Sequence, residues 1–487
     1  MGKIEENEID GTLFPIKQKN REIIYFFSDF KEFLGNGEAG DVYKGYRCIP
    51  KTTKTEPFPY RISKNELIIL DDKPVAIKIY KEGKFPSDYQ ITNESIAVVD
   101  IEDRAVLIME FSDGFHIEPD FKKNTELKDL TFLQAVDVAW QLVIGLNPLH
   151  YRNTKGLPVV HGDINGSNIK IKKVTEKRTD VFFLDFDYAK PILTGSQHPQ
   201  GTPEFVALEI LDGYYSESSD FYALAPVLLS LFGANNPLRE IFNFRDTHPE
   251  MTKENLIRQY AQIGFCSDGL FSHFEPKPSL EICNLLENFI KRMGTKEKSQ
   301  RPSSDAILEF FTSLRQWCLV KEDPKLLEFY LVRLYIASNN ERWLKEERYI
   351  TVFSELTKNV QDRLICLMSF DHYIHFYKCL PRSDQYQDIL TKLEYIIVST
   401  LAEKSSTLKK SPSLINTLFK GEITQQEIKW LLHCFESHDR TEFFAPKNEQ
   451  YRRRLEQCKQ LDMAPLISAL IYGLDKGLQP ERVTRLE

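Results

Sequence analysis

The chain has 487 residues and a mass of 56.8 kDa, 42% of them hydrophobic and 28% charged, which is more than one core usually serves; two or three globular domains are expected, and a disordered or fibrous chain is excluded. The net charge of −8 is uneven, with 38 Lys+Arg against 47 Asp+Glu in residues 1–320 and 25 against 24 in residues 321–487, so no basic footprint for nucleic acid is present. Eight single cysteines without a CxxC pair read as reduced core thiols, and the polar, acidic start MGKIEENEID lacks the form of an export signal, which together predict a cytoplasmic protein.

In chain order, residues 1–27 read as an N-terminal extension. Residues 28–112 read as a β-rich lobe, with strand patterns at 41–47, 74–80, 96–100 and 105–111. The polar stretch 48–72, with its three prolines, reads as an inserted loop. From about residue 126 the periodicity turns helical: Leu130, Leu133, Val136, Ala139, Leu142, Val143 and Leu146 share one face. Two strand-like pieces, 168–172 and 180–184, interrupt this helical lobe, which extends over 113–320. Pro226 falls inside an expected helix, where it should remove a backbone bond and kink the chain. Lys321-Glu322-Asp323-Pro324 breaks the pattern and marks a boundary. Residues 321–487 then read as a separate all-α domain without a fixed repeat. The longest apolar runs, such as Ile68-Ile69-Leu70 and Phe182-Phe183-Leu184, fall far short of the roughly 20 residues of a membrane span. Short basic clusters such as Arg452-Arg453-Arg454 read as solvated helix faces.

Three groups of residues carry chemistry. Gly35, Gly37 and Gly40, followed by Val42, form a GxGxxGxV run. Glycines at these steps let backbone N–H groups approach phosphate oxygens, although an ordinary turn would use them as well. A dinucleotide-binding loop would need a helix directly after, whereas Val42-Tyr43-Lys44 continues as strand. Lys78 closes the apolar strand Val75-Ala76-Ile77; alone it would be a solvated edge lysine, but beside a glycine loop it is a candidate cation for phosphates. His161-Gly162-Asp163 precedes Asn168 by a short loop, and Asp185-Phe186-Asp187 follows an apolar strand. Phosphoryl transfer needs a carboxylate to orient the attacking hydroxyl and oxygen ligands for a divalent ion. Asp163 suits the first role, and Asn168 and Asp185 suit the second. One acidic loop residue is normally a turn former; five elements in this order are not.

In combination these motifs resemble the eukaryotic-type Ser/Thr protein kinase family over residues 28–318. The resemblance implies an α+β bilobal kinase fold, with a β-rich N-lobe and a helical C-lobe, followed by the all-α C-terminal domain. It implies an ATP site between the lobes with Mg²⁺ or Mn²⁺, Val42 and Ala76 among the nucleotide-binding residues, Met109 as gatekeeper, and the backbone of Glu110 and Ser112 bonding the adenine. Lys78 would contact the phosphates with Glu94 as its helix partner, Asp163 would be the catalytic base, and Asn168 and Asp185 the metal ligands. Thr202 and Glu209, in the segment from Gly201 to Glu209, resemble the substrate-docking loop and the Ala-Pro-Glu motif. Thr202 would contact the catalytic aspartate, which favours Ser/Thr over Tyr acceptors. Asp220 would start the central helix, and Arg301 would pair with Glu209. The implied partner is a protein substrate, with a regulatory or scaffold protein as a candidate partner for residues 321–487.

Four departures bear on this reading. Gly162 stands where most members carry arginine, Asp187 where they carry glycine, and Asn165 where Ser/Thr kinases place a lysine. Glu94 lies close to the following strand, leaving little room for its helix. The first two departures also resemble the aminoglycoside and choline phosphotransferases, so a small-molecule kinase is the alternative. A scaffold that keeps the fold without catalysis is a third reading, disfavoured because every phosphate and metal position is filled. Without the arginine a phosphate on the activation segment, where Thr194 and Ser196 are the acceptors, has no guanidinium to meet, so activity independent of that phosphorylation is expected. The divergent motifs and helical appendage are also similar to effector kinases that bacteria inject into a host cytosol.

Overall fold

The computed structural model describes residues 10–17, 23–52, 60–86, 95–101, 104–151, 158–175, 178–192, 199–320, 323–381, 383–393 and 396. The chain divides into two compact units, residues 1–311 and 312–487. The boundary residue read from sequence, Lys321, lies outside the described residues, as does the whole region beyond 396.

The first unit opens with a seven-stranded sheet: β1 (Gly11–Lys17), β2 (Ile23–Asn36), β3 (Gly40–Pro50), β4 (Tyr60–Ile62), β5 (Leu67–Tyr80), β6 (Ser95–Ile101) and β7 (Arg104–Glu110). Its order is β4-β1-β2-β3-β5-β7-β6, and every pairing is antiparallel. Two sequence expectations change here. The extension 1–27 contributes β1 and the start of β2, and the expected loop 48–72 contains the end of β3, all of β4 and the start of β5. Pro15 disguised β1. It is tolerated because β4 pairs only with Gly11, Thr12 and Leu13, so no described strand needs an N–H from Pro15 on that side. Successive residues face opposite sides of the sheet: Phe14 and Phe26 join Val75, Ile77, Val106 and Ile108, while Leu13 and Phe27 join Cys48, Ile62 and Leu67. Burial on both faces fixes the register, because a one-residue slip would exchange the two cores.

The helical part of this unit begins with α1 (Thr125–Lys128) and α2 (Phe132–Tyr151). It continues through short strands β8 (Val159–Val160), β9 (Ile169–Thr175), β10 (Arg178–Phe183) and β11 (Lys190–Pro191). Helices α3 (Glu217–Leu231), α4 (Arg239–Thr247), α5 (Lys253–Ile263), α6 (Leu280–Met293) and α7 (Ser304–Leu319) complete it, the division between units falling within α7. Helix α2 has the length and apolar character of a membrane span, unlike the short runs noted above. Its apolar residues, among them Val136, Ala139, Leu142, Val143 and Leu146, are nevertheless buried against β8, β10 and α3. Helix α3 is buried from Ser219 to Leu231 and runs without a break through Pro226.

In the second unit α8 (Pro324–Ala337), α9 (Glu347–Glu355), α10 (Lys358–Cys366) and α11 (Phe370–Cys379) follow one another. The indole of Trp343, wholly buried, lies among Phe353, Phe376 and His372. Trp343 Nε1 donates to His372 Nε2 at 2.9 Å, which leaves Nδ1 to donate to Asn339 Oδ1 at 3.0 Å. A neutral ring satisfies both partners, whereas a second proton would face the indole N–H. Burial, the leading cause, pushes the His372 pKa down to about 4 from its ordinary 6.5. The unfolded chain therefore binds this proton first as pH falls through 6.5, and the stability is lost progressively toward pH 4. Between pH 7 and pH 5 the unsubstituted protein should lose about 2 kcal/mol more stability than His372→Gln does, in urea unfolding at both pH values. Equal losses would remove this account.

Candidate active site

The β2–β3 hairpin ends in a turn in which Gly37 N donates to Gly40 O at 2.8 Å. Its glycines differ in what requires them. A Cβ on Gly40 would come within 2.4 Å of Ile79 O, so the close approach of β5 excludes a side chain. A Cβ on Gly35 would meet nothing within 4 Å, and one on Gly37 would meet only Gly40 O at 3.8 Å. The fold leaves that space unfilled. Behind the hairpin the register sets Val42 opposite Lys78 and Ala76 opposite Met109. Glu110 ends β7 opposite Val75, with Ser112 just past the strand.

The loop after β8 is shaped by Asp220 at the start of α3. This carboxylate is 2% exposed and accepts from His161 N at 2.8 Å, Gly162 N at 3.0 Å and His150 Nε2 at 2.9 Å. Burial opposes its charge, but the bond from His150, with His161 adding to it, outweighs burial and keeps the pKa below the ordinary carboxylate value. Gly162 is held at φ +80°, where a Cβ would stand 2.4 Å from Tyr188 O. The next residue, Asp163, is gripped from two sides. Oδ1 accepts from Thr202 N at 2.7 Å and Thr202 Oγ1 at 2.8 Å, and Oδ2 accepts from Asn168 Nδ2 at 2.9 Å. Three of roughly four acceptor positions are filled, leaving about one on Oδ2. Asn165 organises the turn beneath, its Oδ1 accepting from Ser167 N and Asn168 N.

Lys78 crosses to the other end of the site. Its Nζ donates to Asp185 Oδ1 at 2.7 Å and to Asp187 Oδ2 at 2.6 Å. Burial works against the ammonium, but Asp185 and then Asp187 more than offset it and raise its pKa above the ordinary lysine value. Asp187 shifts upward, driven first by burial and then by the charge of Asp185, with Lys78 and Tyr80 opposing. Asp185 itself sits in the left-handed region at φ +60°. Leu184 N donates to Asn168 O at 2.8 Å and His161 Nε2 to Leu184 O at 3.1 Å, which ties the Asp185 turn to the Asp163 loop. The surroundings are anionic: the Tyr188 phenol is pushed up to about 12, chiefly by burial and then by Glu38, Asp163, Asp185 and Asp187.

Farther along, Glu209 and Arg301 form a bidentate pair at 2.6 and 3.0 Å, with the arginine side chain 1% exposed. Arg301 also donates to Thr295 O and Lys296 O. Each of Lys78, Asp163, Asn168, Asp185, Thr202, Glu209, Asp220 and Arg301 thus has its position set by side-chain contacts; Glu94 lies outside the described residues. Sequence reasoning missed three residues. Asp187 was noted only as a departure, although an acid in place of glycine was a visible signal. Tyr80, two residues after Lys78 on the same strand face, was passed over. Lys253 gave no signal: it reaches from α5 to Gly201 O at 2.7 Å, its pKa lowered by burial against the pull of Asp163 and Glu38.

A nucleoside triphosphate with a divalent ion fits these residues. Gly35 and Gly37 leave room for phosphate oxygens, and Lys78 supplies a fixed cation. Asn168 Oδ1 and Asp185 Oδ2 carry no hydrogen bond among the described residues. No group of three or more His, Cys, Asp or Glu able to hold a metal occurs among those residues. A cation bound by Asn168 and Asp185 would complete its shell with phosphate oxygens and water, as Mg²⁺ commonly does.

Comparison with known proteins points the same way. The protein kinase domain family matches residues 28–311. A probable serine/threonine-protein kinase, zyg-1 of Caenorhabditis elegans, is 28% identical over 213 residues, covering 43% of this chain and 28% of that protein. Serine/threonine-protein kinase WNK of the same organism is 34% identical over 255 residues, covering 49% of this chain and 12% of that one. The chain therefore matches between about an eighth and a quarter of these relatives' length. Among solved structures the Cydia pomonella granulovirus kinase PK-1 is similar with a TM-score of 0.39 at 20% identity, over 57% of this chain and 92% of that one.

The backbone at Gly162 supplies a test of this geometry. A left-handed φ together with a 2.4 Å approach to Tyr188 O should make Gly162→Ala cost about 1–3 kcal/mol. Gly35→Ala, in open space, should cost under about 1 kcal/mol in the same denaturant titration. Equal costs at the two positions would contradict the arrangement.

Proposed function

The chain belongs to the protein kinase domain family, and from that membership we propose that it is an ATP- and Mg²⁺-dependent kinase that phosphorylates Ser or Thr hydroxyls of protein substrates. The observation that carries this reading is the grip on Asp163, whose Oδ1 is occupied twice by Thr202 and whose Oδ2 is occupied once by Asn168. The remaining acceptor position on Oδ2 is where a substrate hydroxyl would donate. As the oxygen attacks the γ-phosphorus, the bond from that phosphorus to the β-phosphate oxygen breaks, ADP leaves, and the hydroxyl proton passes to Asp163. Lys78 would meet the phosphates, and Asn168 and Asp185 would hold the divalent ion, which offsets their negative charge. Positioning and electrostatics supply most of the acceleration in such a site.

Thr202 supports the choice of Ser/Thr acceptors, because its hydroxyl and main chain fix the base at the head of the docking segment. The Glu209–Arg301 pair favours a protein over a small molecule, since it anchors the far end of that segment. Gly162 supports activity without phosphate on the activation segment: it has no side chain to receive one. Thr194 and Ser196 lie outside the described residues.

Asp163→Ala should keep ATP binding and lower phosphate transfer to mixed protein by about 10²–10⁴-fold. Full transfer by that variant would end the mechanism, and transfer to amino alcohols or aminoglycosides in preference to protein would replace the substrate class. Thr194→Ala with Ser196→Ala should leave turnover within about twofold of the unsubstituted protein. Loss of turnover in a folded double variant would show that an activation-segment phosphate is required.

A further inference from the structure

Lys78 and Tyr80 alternate with Ile77 and Ile79 along β5, so both leave the strand on one face. Their donors converge on a single carboxylate: Lys78 Nζ donates to Asp187 Oδ2 at 2.6 Å and Tyr80 Oη to Asp187 Oδ1 at 2.5 Å. The contact is closed to water, with the two side chains 5% and 6% exposed. A buried ion pair persists only when the remaining lone pairs find donors, and the Tyr80 phenol supplies one. Asp185 is different. It touches Lys78 through Oδ1 alone, is 37% exposed, and keeps Oδ2 open.

We infer that Asp187 is the positioning residue of Lys78: it fixes the ammonium beside the glycine hairpin and so leaves Asp185 available to a divalent ion. The inference rests on the kinase reading above and deepens it. A lysine held by Asp185 alone would compete with the metal for that carboxylate. With Asp187 as a second, enclosed partner, Lys78 keeps an anion when Asp185 turns to a cation. The arrangement also places the lysine's anchor two residues from Asp185, on the turn that joins β10 to β11. One short segment then sets both the phosphate-binding lysine and the metal carboxylate. Glu94 lies outside the described residues, and the role of Asp187 stands on its own contacts.

The test is a double-mutant cycle on the full chain, built from Lys78→Met, Asp187→Asn and the pair, with Asp187→Glu and Tyr80→Phe added. If Asp187 acts through Lys78, Asp187→Asn should lower kcat/KM for ATP by about tenfold or more, but by less than about threefold once Lys78 is methionine. Asp187→Glu should recover part of the loss, and Tyr80→Phe should lose less than Asp187→Asn. Melting of the nucleotide-free protein gives a second readout. Lys78→Met leaves two carboxylates without their cation and should lower the Tm, and adding Asp187→Asn should raise it again. An unchanged kcat/KM in Asp187→Asn overturns the inference. So does an equal loss with and without Lys78, which is the behaviour of an independent metal ligand. If the unsubstituted protein transfers no phosphate to any acceptor, the kinase reading fails instead; the melting cycle then decides whether the pair exists, and additive Tm changes refute it.

Discussion

The loop that carries Asp163 is referred to one buried carboxylate. Asp220 lies at the start of α3, a helix buried along most of its length, so its position is fixed by the C-lobe core and not by the loop it serves. An ionised group in that setting is tolerated only if fully bonded. The donors that satisfy it are the main-chain amides of His161 and Gly162, with His150 from α2 as the third. Desolvation thereby becomes a positional constraint. The loop cannot leave without abandoning a buried charge, and its conformation, left-handed at Gly162, sends Asp163 toward Thr202 and Asn168. Asp163 is thus placed by the core, one residue on from the Gly162 amide that Asp220 holds.

Charge balance follows the same logic of fixed partners. The region up to residue 320 carries 47 acidic against 38 basic residues, and within the site Glu38, Asp163, Asp185 and Asp187 together act on the Tyr188 phenol. A triphosphate would meet this field with few cations to help it. Lys78 is enclosed and committed, while Lys253 enters from α5 against Gly201 O, close enough to feel Asp163 and Glu38. The remaining compensation must come from backbone amides of the glycine hairpin and from a divalent ion. In a bound triphosphate, a divalent ion would offset the repulsion between the phosphates and the carboxylates of this cleft.

Much of this was legible in the sequence because the informative residues are local. The glycine hairpin, the lysine at a strand end and the loop from His161 to Asn168 each read within about ten residues, where spacing and residue type carry the meaning. The strand content of residues 11–17 was hidden by Pro15, whose missing N–H costs nothing on the side where no described strand pairs with it. The role of Asp187 was hidden for a different reason. Its partner Lys78 is 109 residues away in the chain, and only the fold brings them together. Lys253 is the extreme case, a lysine on an otherwise ordinary helix whose contact with Gly201 spans 52 residues and leaves no local trace.

The departures at positions 162 and 187, met separately in the sequence, are spatially one feature. Asp187 accepts from Lys78 and Tyr80, and Tyr188 is the residue after it. The Tyr188 carbonyl then lies where a Cβ on residue 162 would have to stand. A side chain at 162 and a Tyr188 carbonyl in this place exclude each other. Gly201 tightens the same packing: its own Cβ would fall 2.5 Å from Gly162 O, and it sits at φ +89°. Three loops meet here through their backbones, with no room for side chains between them. A long side chain has no place at 162 in such packing, and the carboxylate at 187 is a fixed partner for Lys78.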